Sequence, residues 1–337
     1  MDSIFTYKKL LIDENKTNKK FLVILLLLNG FAYAQNAQEF TDLYGDYLGQ
    51  TPPGNTPVVF ARGIVSDKYQ QHGAPSFSPD GNKVFWQTNR LESENKWLIS
   101  VITMQRIGDR WTSPTVSQFA DKPVFFYNGK RLYFGSNGEG DDPYFVEKHG
   151  DSLSEPKKID LVTRFPELRF VYNLSITNNG TLYFLGYDAA DSGLWNNYAI
   201  YRSELINGEY GKPELLPPCI NATGGILNWT PFIAPDESYL IFCSRRLKPT
   251  DDYGDLYICF RQPDGRWTDR LSLGDQINTI GLERFPTVSP DGKYLFFTRW
   301  TPDNDEDVFW VNADIIKKLR AKISGSHGLK PTLPGRN

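Results

Sequence analysis

Five times along the chain, a tight-turn signal runs straight into a short, aromatic-rich apolar segment. The turns are Phe77-Ser78-Pro79-Asp80-Gly81, Phe126-Tyr127-Asn128-Gly129, Thr177-Asn178-Asn179-Gly180, Ala234-Pro235-Asp236-Glu237 and Ser289-Pro290-Asp291-Gly292. They lead into Val84-Phe85-Trp86, Leu132-Tyr133-Phe134, Leu182-Tyr183-Phe184, Leu240-Ile241-Phe242 and Leu295-Phe296-Phe297. Proline pre-sets the first turn position, Asp caps the amides that follow, and Gly takes the positive φ that closes a hairpin between strands. Glu237 stands where the other copies have Gly, so that turn is expected to close under a small backbone strain.

A further strand is predicted after each aromatic run, at Trp97 to Thr103, Tyr144 to Lys148, Tyr198 to Ser203, Asp255 to Phe260 and Asp307 to Asn312. In four repeats an outer strand is expected to begin near Trp111, Leu153, Tyr210 and Trp267, three of them with a proline shortly after, at Pro114, Pro156 and Pro213. Proline has no amide to donate and belongs at a sheet edge. The fifth repeat lacks this strand, and its chain turns instead into Asp314 to Leu319, whose apolar residues fall at helical spacing. The absent strand is found at the other end: Thr56-Pro57-Val58-Val59 matches Ser113-Pro114-Thr115-Val116.

The turn positions 81, 129, 180, 237 and 292 lie 48, 51, 57 and 55 residues apart. Repeats of that length, each with four short strands, predict an all-β β-propeller of four-stranded blades, five in number and closed by the N-terminal strand. Six blades are the alternative, because residues 38 to 55, with Tyr44, Tyr47 and Leu48, either pack across one face or hide a degenerate strand. Residues 1–34 read as a signal peptide: Lys19 and Lys20, the apolar run Phe21 to Leu28, then Ala32-Tyr33-Ala34. Residues 35–56 form an N-terminal extension, 57–323 the propeller with a short C-terminal helix, and 324–337 a flexible tail. A secreted or periplasmic protein follows, with no stable membrane anchor after cleavage.

The Ser-Pro-Asp-Gly turn, the Leu-Tyr-Phe-like strand and the Asp255-Leu256-Tyr257-Ile258 and Asp307-Val308-Phe309-Trp310 strands resemble the TolB-type, WD-like repeats of exported bacterial propellers, over about residues 57 to 312. That resemblance implies a secreted propeller of the protein-interaction or ligand-binding kind, and leaves the chemistry open.

Composition narrows this further. The formal charge of −3 argues against a nucleic-acid partner. Three cysteines, Cys219, Cys243 and Cys259, cannot make a closed disulfide framework. A hairpin closing at 245–254 sets Cys243 opposite residue 256, so a Cys243–Cys259 bond is out of register. No Gly-X-Ser-X-Gly elbow occurs. No cofactor is expected. Calcium is the one alternative, at Asp303, Asp305 and Asp307 or at Asp251, Asp252 and Asp255, where the plain reading is an acidic loop.

In a propeller, the loops from outer to next inner strand and from second to third strand share one face. This places His72, Asp121, Arg169, Trp229, Glu283 and Arg284 from the first set near Arg245 and Trp300 from the second. Guanidinium groups pair with carboxylates or sulfates, and aromatic rings stack on sugars or peptide side chains. The expectation is a non-catalytic binding module whose partner is an envelope protein, a peptide or a glycan. The alternative is a carbohydrate-active enzyme, a glycoside hydrolase or polysaccharide lyase, for which Asp121 and Glu283 would be a candidate carboxylate pair. Set against both is the structural reading, in which these Arg and Asp side chains tie neighbouring blades together.

Overall fold

The computed structural model describes residues 42–326, apart from 94–95, 120, 127, 136–141, 151, 189–197, 223–226, 246–253 and 302–305, and without the side chains of 90–93, 96–97, 188, 245 and 324–326. The segments expected to be a signal peptide and a flexible tail therefore lie outside the described residues, as do most of the acidic positions considered for calcium. No described helix is long and apolar enough to cross a membrane.

Five antiparallel sheets form the five blades of a β-propeller. From the channel outward, blade 1 comprises Gln70–Gln71 with Ser76–Phe77, Lys83–Ser93, Lys96–Ile107 and Thr115–Val116. Blade 2 comprises Val124–Phe125, Arg131–Phe134, Tyr144–His149 and Lys157–Lys158. Blade 3 comprises Leu168–Ile176, Leu182–Asp188, Tyr198–Ser203 and Glu214–Leu215, and blade 4 Asn228–Ile233, Tyr239–Arg245, Gly254–Phe260 and Leu271–Ser272. Blade 5 takes Leu282–Val288, Tyr294–Trp300 and Glu306–Asn312 from the C-terminal part and Val58–Val59 from the N-terminal part. Val58 pairs with Trp310 and Val59 with Phe309, as the repeat alignment predicts.

All five turn positions adopt positive φ, at 69° for Gly81, 66° for Gly129, 91° for Gly180, 57° for Glu237 and 71° for Gly292. Glu237 bears that conformation with a side chain, and its carboxylate accepts the Tyr183 hydroxyl at 2.8 Å. The outer strands differ from the sequence reading. Trp111 and Leu153 belong to short hairpin extensions of the third strand, Tyr210 to a separate two-stranded hairpin with Leu205–Ile206, and Trp267 to an isolated bridge. The true outer strands start a few residues later, so Pro114, Pro156 and Pro213 mark the break between the two.

The core lies between blades, where each sheet packs the aromatic run of its second strand against the next sheet. Blades 4 and 5 share Ile241, Leu256, Leu295 and Phe297, and the helix Asp314–Ser326 seats Ile316 and Leu319 on the same cluster. At the closure, Phe60 is wholly buried and meets Phe296 and Trp310 at centroid distances of 5.0 and 5.1 Å. The N-terminal extension is no sixth blade. Its 3-10 turn, Asp46–Gly49, lies on the turn face, with the Tyr47 ring 5.3 Å from Phe77 and its hydroxyl donating to Asp291 at 2.8 Å.

One further device recurs outside the turns. Beyond the outer strand, Asn221, Asn278 and Ser66 reach back to the third strand of the same blade. They accept the amides of Ile200, Leu256 and Val308 at 2.9, 2.8 and 2.9 Å. Each then donates to the carbonyl of the same residue, at 2.9, 3.0 and 3.2 Å. The residue before each is buried: Ile220, Ile277 and Val65. The short polar residue thus satisfies the strand amide that the outer strand leaves unpaired, and adds a second bond to a carbonyl that already accepts a backbone amide.

Candidate functional site

The inner strands of blades 3, 4 and 5 share a β-bulge at the equivalent place, between Tyr172 and Ser175, Trp229 and Phe232, and Arg284 and Thr287, and blade 3 has a second between Leu168 and Val171. Asn173, Thr230 and Phe285 take the left-handed conformation at the shared bulge, with φ of 52°, 51° and 52°. For a β-branched or bulky residue this is strained, and it persists only where the surroundings over-determine it. Those surroundings are the neighbouring blades. Phe285 N donates to Thr230 Oγ1 at 3.2 Å, Ile233 N to Ser175 Oγ at 2.9 Å and Thr287 Oγ1 to the Pro75 carbonyl at 3.1 Å. Pro75, Pro123, Pro231 and Pro286 occupy equivalent places in four blades. An innermost strand is also a sheet edge, and proline there presents no unpaired amide to the channel.

The channel encloses a cavity of about 520 Å³, lined by inner-strand residues of all five blades. That is ample for a small ligand or one or two sugar residues. Its polar lining includes His72, Gln87, Asp121, Lys122, Asn173 and Thr230.

His72 belongs to a network that joins blades 5 and 1. Arg284 grips the Glu306 carboxylate with both prongs, Nε to Oε1 at 2.8 Å and Nη2 to Oε2 at 2.7 Å, and Thr298 Oγ1 adds a third bond at 2.8 Å. The guanidinium also stands 3.2 Å from His72 Nδ1. Guanidinium only donates, so Nδ1 accepts and the imidazole proton sits on Nε2. Burial, then the Arg284 charge, depress the His72 pKa to about 4, and the ring is neutral at pH 7. Glu306 is held below its ordinary range by Arg284 despite its burial.

Asp121 and Lys122 enter the cavity from blade 2. Asp121 accepts Gly135 N at 2.9 Å through Oδ2 and Lys122 N at 2.9 Å through Oδ1. A Cβ at residue 135 would collide with Oδ2, so that approach requires glycine. Burial raises the Asp121 pKa. Lys122 Nζ donates to the Ala74 carbonyl at 2.7 Å, tying blade 2 to blade 1, and burial lowers its pKa to about 8.

The other expected site residues are placed elsewhere. Glu283 is fully buried, accepting Arg299 Nε at 2.8 Å and Thr279 Oγ1 at 2.6 Å, and burial raises its pKa. It does not line the cavity with Asp121, so the two do not form a carboxylate pair there. Trp229 packs against the core between blades 4 and 5. Trp300 is half-buried at a strand end opposite Glu306, and Arg169 is exposed. Arg245 ends the second strand of blade 4, opposite Gly254, and its side chain lies outside the described residues. Thus His72 and Asp121 line the cavity, while Arg284, which contacts His72 from behind the lining, and Glu283 tie the fold.

On the strand that carries Arg169 the structure assembles an aromatic group that the site residues expected from the sequence do not include. Phe170 lies 5.1 Å from Tyr172, 6.0 Å from Tyr187 in parallel stacking and 5.2 Å from Tyr198. Tyr172 is 40% exposed. The alternation of Phe170 and Tyr172 on one strand, with Tyr187 and Tyr198 at the end of the adjoining hairpin, was the available signal.

No family model matches the chain, and no curated protein matches it either. Solved structures do resemble it in fold. The catalytic domain of the GH62 α-L-arabinofuranosidase of Coprinopsis cinerea is 10% identical, with a TM-score of 0.42 over 77% of this chain and 97% of that one. The GH43 endo-arabinanase of Bacillus licheniformis is 13% identical, with a TM-score of 0.42 over 74% and 95%. Hydrazine synthase of Kuenenia stuttgartiensis is 13% identical, with a TM-score of 0.36 over 76% and 82%. At these identities and TM-scores the likeness concerns the fold alone and says nothing of activity.

Proposed function

We propose that this protein is an exported, TolB-like propeller that binds an acidic oligosaccharide on its loop face without transforming it. The observation that carries this reading is the cluster of half-buried rings Phe170, Tyr187 and Tyr198 with the exposed Tyr172, on the strand that also carries the exposed Arg169. Flat rings take up sugar faces, and a guanidinium pairs with a uronate carboxylate or a sulfate. The cavity supports binding over hydrolysis: among the described lining residues Asp121 is the one carboxylate, whereas glycoside cleavage ordinarily uses two.

Titration calorimetry with uronic-acid oligosaccharides, their neutral counterparts and an acidic peptide tests this. The acidic sugar is expected to bind best, and Tyr172→Ala to weaken it by about ten-fold, a typical cost for an aromatic contact. Equal binding of the peptide, or indifference to Tyr172→Ala, overturns the reading.

Lys122 favours a second reading, a polysaccharide lyase. Its pKa of about 8, in a cavity shared with His72, suits a base that removes a proton beside a uronate carboxylate. Unsaturated products, detected by ultraviolet absorbance and abolished by Lys122→Met, would establish it; substrate recovered intact after long incubation would exclude it for that sugar.

A further inference from the structure

Cys219 and Cys259 come from different parts of the ring. Cys219 sits in the segment that leaves blade 3, after Pro217 and Pro218 and just before the buried Ile220 and the clamping Asn221. Cys259 is in the third strand of blade 4, fully buried. The fold brings them together: Cys259 Sγ donates to the Cys219 carbonyl oxygen at 3.7 Å, and the two thiols lie close enough to perturb each other's ionisation. Both pack on the cluster between blades 3 and 4. They are thiols in this structure, and so is Cys243, which is set opposite Leu256 in the second strand of blade 4.

The pair is chemically unequal. Cys219 is half-buried and so within reach of a reagent, whereas Cys259 is fully buried. Arg270 anchors the segment, donating to the carbonyls of Cys219 and Ile220 at 3.2 and 3.1 Å, and its charge interacts with both sulfurs. The neighbouring Cys259 thiol lowers the Cys219 pKa to about 7, while Cys219 and burial raise that of Cys259. A large fraction of Cys219 is therefore thiolate near neutral pH, and the thiolate is the nucleophile in disulfide exchange.

We propose that Cys219 and Cys259 form a thiol–disulfide site, with Cys219 the attacking and Cys259 the resolving sulfur, which locks the blade 3–4 connection to blade 4 on oxidation by a disulfide reagent. The Cys219 thiolate attacks one sulfur of the reagent, forming a mixed disulfide and releasing the other half as a thiolate, which takes up a proton. Cys259 then gives up its proton and attacks Cys219 Sγ, forming the internal bond and releasing the second half as a thiol. Overall, two protein thiols and one reagent disulfide become one protein disulfide and two reagent thiols. The bond closes a loop across two blades, and constraining the unfolded chain in this way stabilises the native state.

Oxidised glutathione is the probe, applied to the full chain before denaturing alkylation and intact-mass measurement. The reduced chain carries three alkylatable cysteines. The oxidised chain is expected to take a single alkyl group, to lose about 2 Da before alkylation and to melt several degrees higher. Cys243→Ser should keep the mass loss. Cys219→Ser should resist oxidation, and Cys259→Ser should halt at a glutathione adduct on Cys219. Three results would each overturn the proposal: a wild-type chain that resists oxidation, one that stops at a stable glutathione adduct, or an internal bond that survives in Cys219→Ser.

Discussion

Blades 4 and 5 have the same four strands, but blade 4 is one continuous stretch of chain and blade 5 is assembled from both ends. Their third and outer strands are joined almost identically. Leu273 N donates to Leu256 O at 3.1 Å in blade 4, and Phe60 N to Val308 O at 2.8 Å in blade 5. Asn278 clamps the first pair and Ser66 the second. What differs is the packing and charge around the seam. Blade 5 adds the Phe60, Phe77, Phe296 and Trp310 rings, the Tyr47 insertion and the Arg284–Glu306 pair with His72. A strand held by its flanking chain loses little entropy on docking, whereas a remote strand must close a long loop first. The additional apolar burial and buried charge pairing stand where that cost falls.

The largest expected effect is therefore at the seam itself. Phe60→Ala should destabilise by about 4 kcal/mol, the usual range for a buried Phe. Leu271→Ala in blade 4, at a half-buried outer-strand position, should cost much less in the same chemical melts. Equal losses would mean that the two seams are equivalent after all. Next comes Glu306→Gln, which leaves the Arg284 guanidinium without its counter-charge and should cost about 3 kcal/mol, with hydrogen exchange accelerated at blades 5 and 1 ahead of blades 3 and 4.

Acid should sharpen the same contrast. His72 has a folded pKa near 4, below the ordinary value of 6.5. Between those values the unfolded chain binds the proton and the folded chain does not, so stability falls as pH drops through that window, by at most about 3 kcal/mol. Glu306, held low in the folded state, adds a loss once pH falls below the ordinary carboxylate range. Stability measured from pH 7 to pH 4 should decline more steeply in the wild type than in His72→Asn, and an unchanged slope would remove His72 from the account. The smallest effect is at the clamps. Asn278→Ala leaves a strand amide unpaired and should cost about 2 kcal/mol, and Ser66→Ala about the same or slightly less.

The sequence was most legible where structure is local. The turns, the register of Cys243 opposite Leu256, the closing strand at Val58–Val59 and the helix at Asp314 each follow from neighbours within a few residues, or from repetition of one pattern. Site residues were less legible. His72 and Asp121 were placed near the channel by strand order alone, but Glu283 and Arg284 are adjacent in sequence, and alternation along a strand sends them to different partners, Arg299 and Glu306. Lys122, Asn173, Thr230 and Phe285 occupy equivalent places in four blades yet share no residue type, so no motif marks them.

The sequence by itself thus determined the repeat, the number of strands and the way the ring closes, because hydrophobic alternation and turn chemistry act over a few residues and recur. Only the tertiary structure decided which charges face each other across blades, which rings gather around Phe170 and which two of three thiols come together. Those contacts join residues far apart in the chain, and their partners are set by how neighbouring sheets pack, which no local pattern encodes.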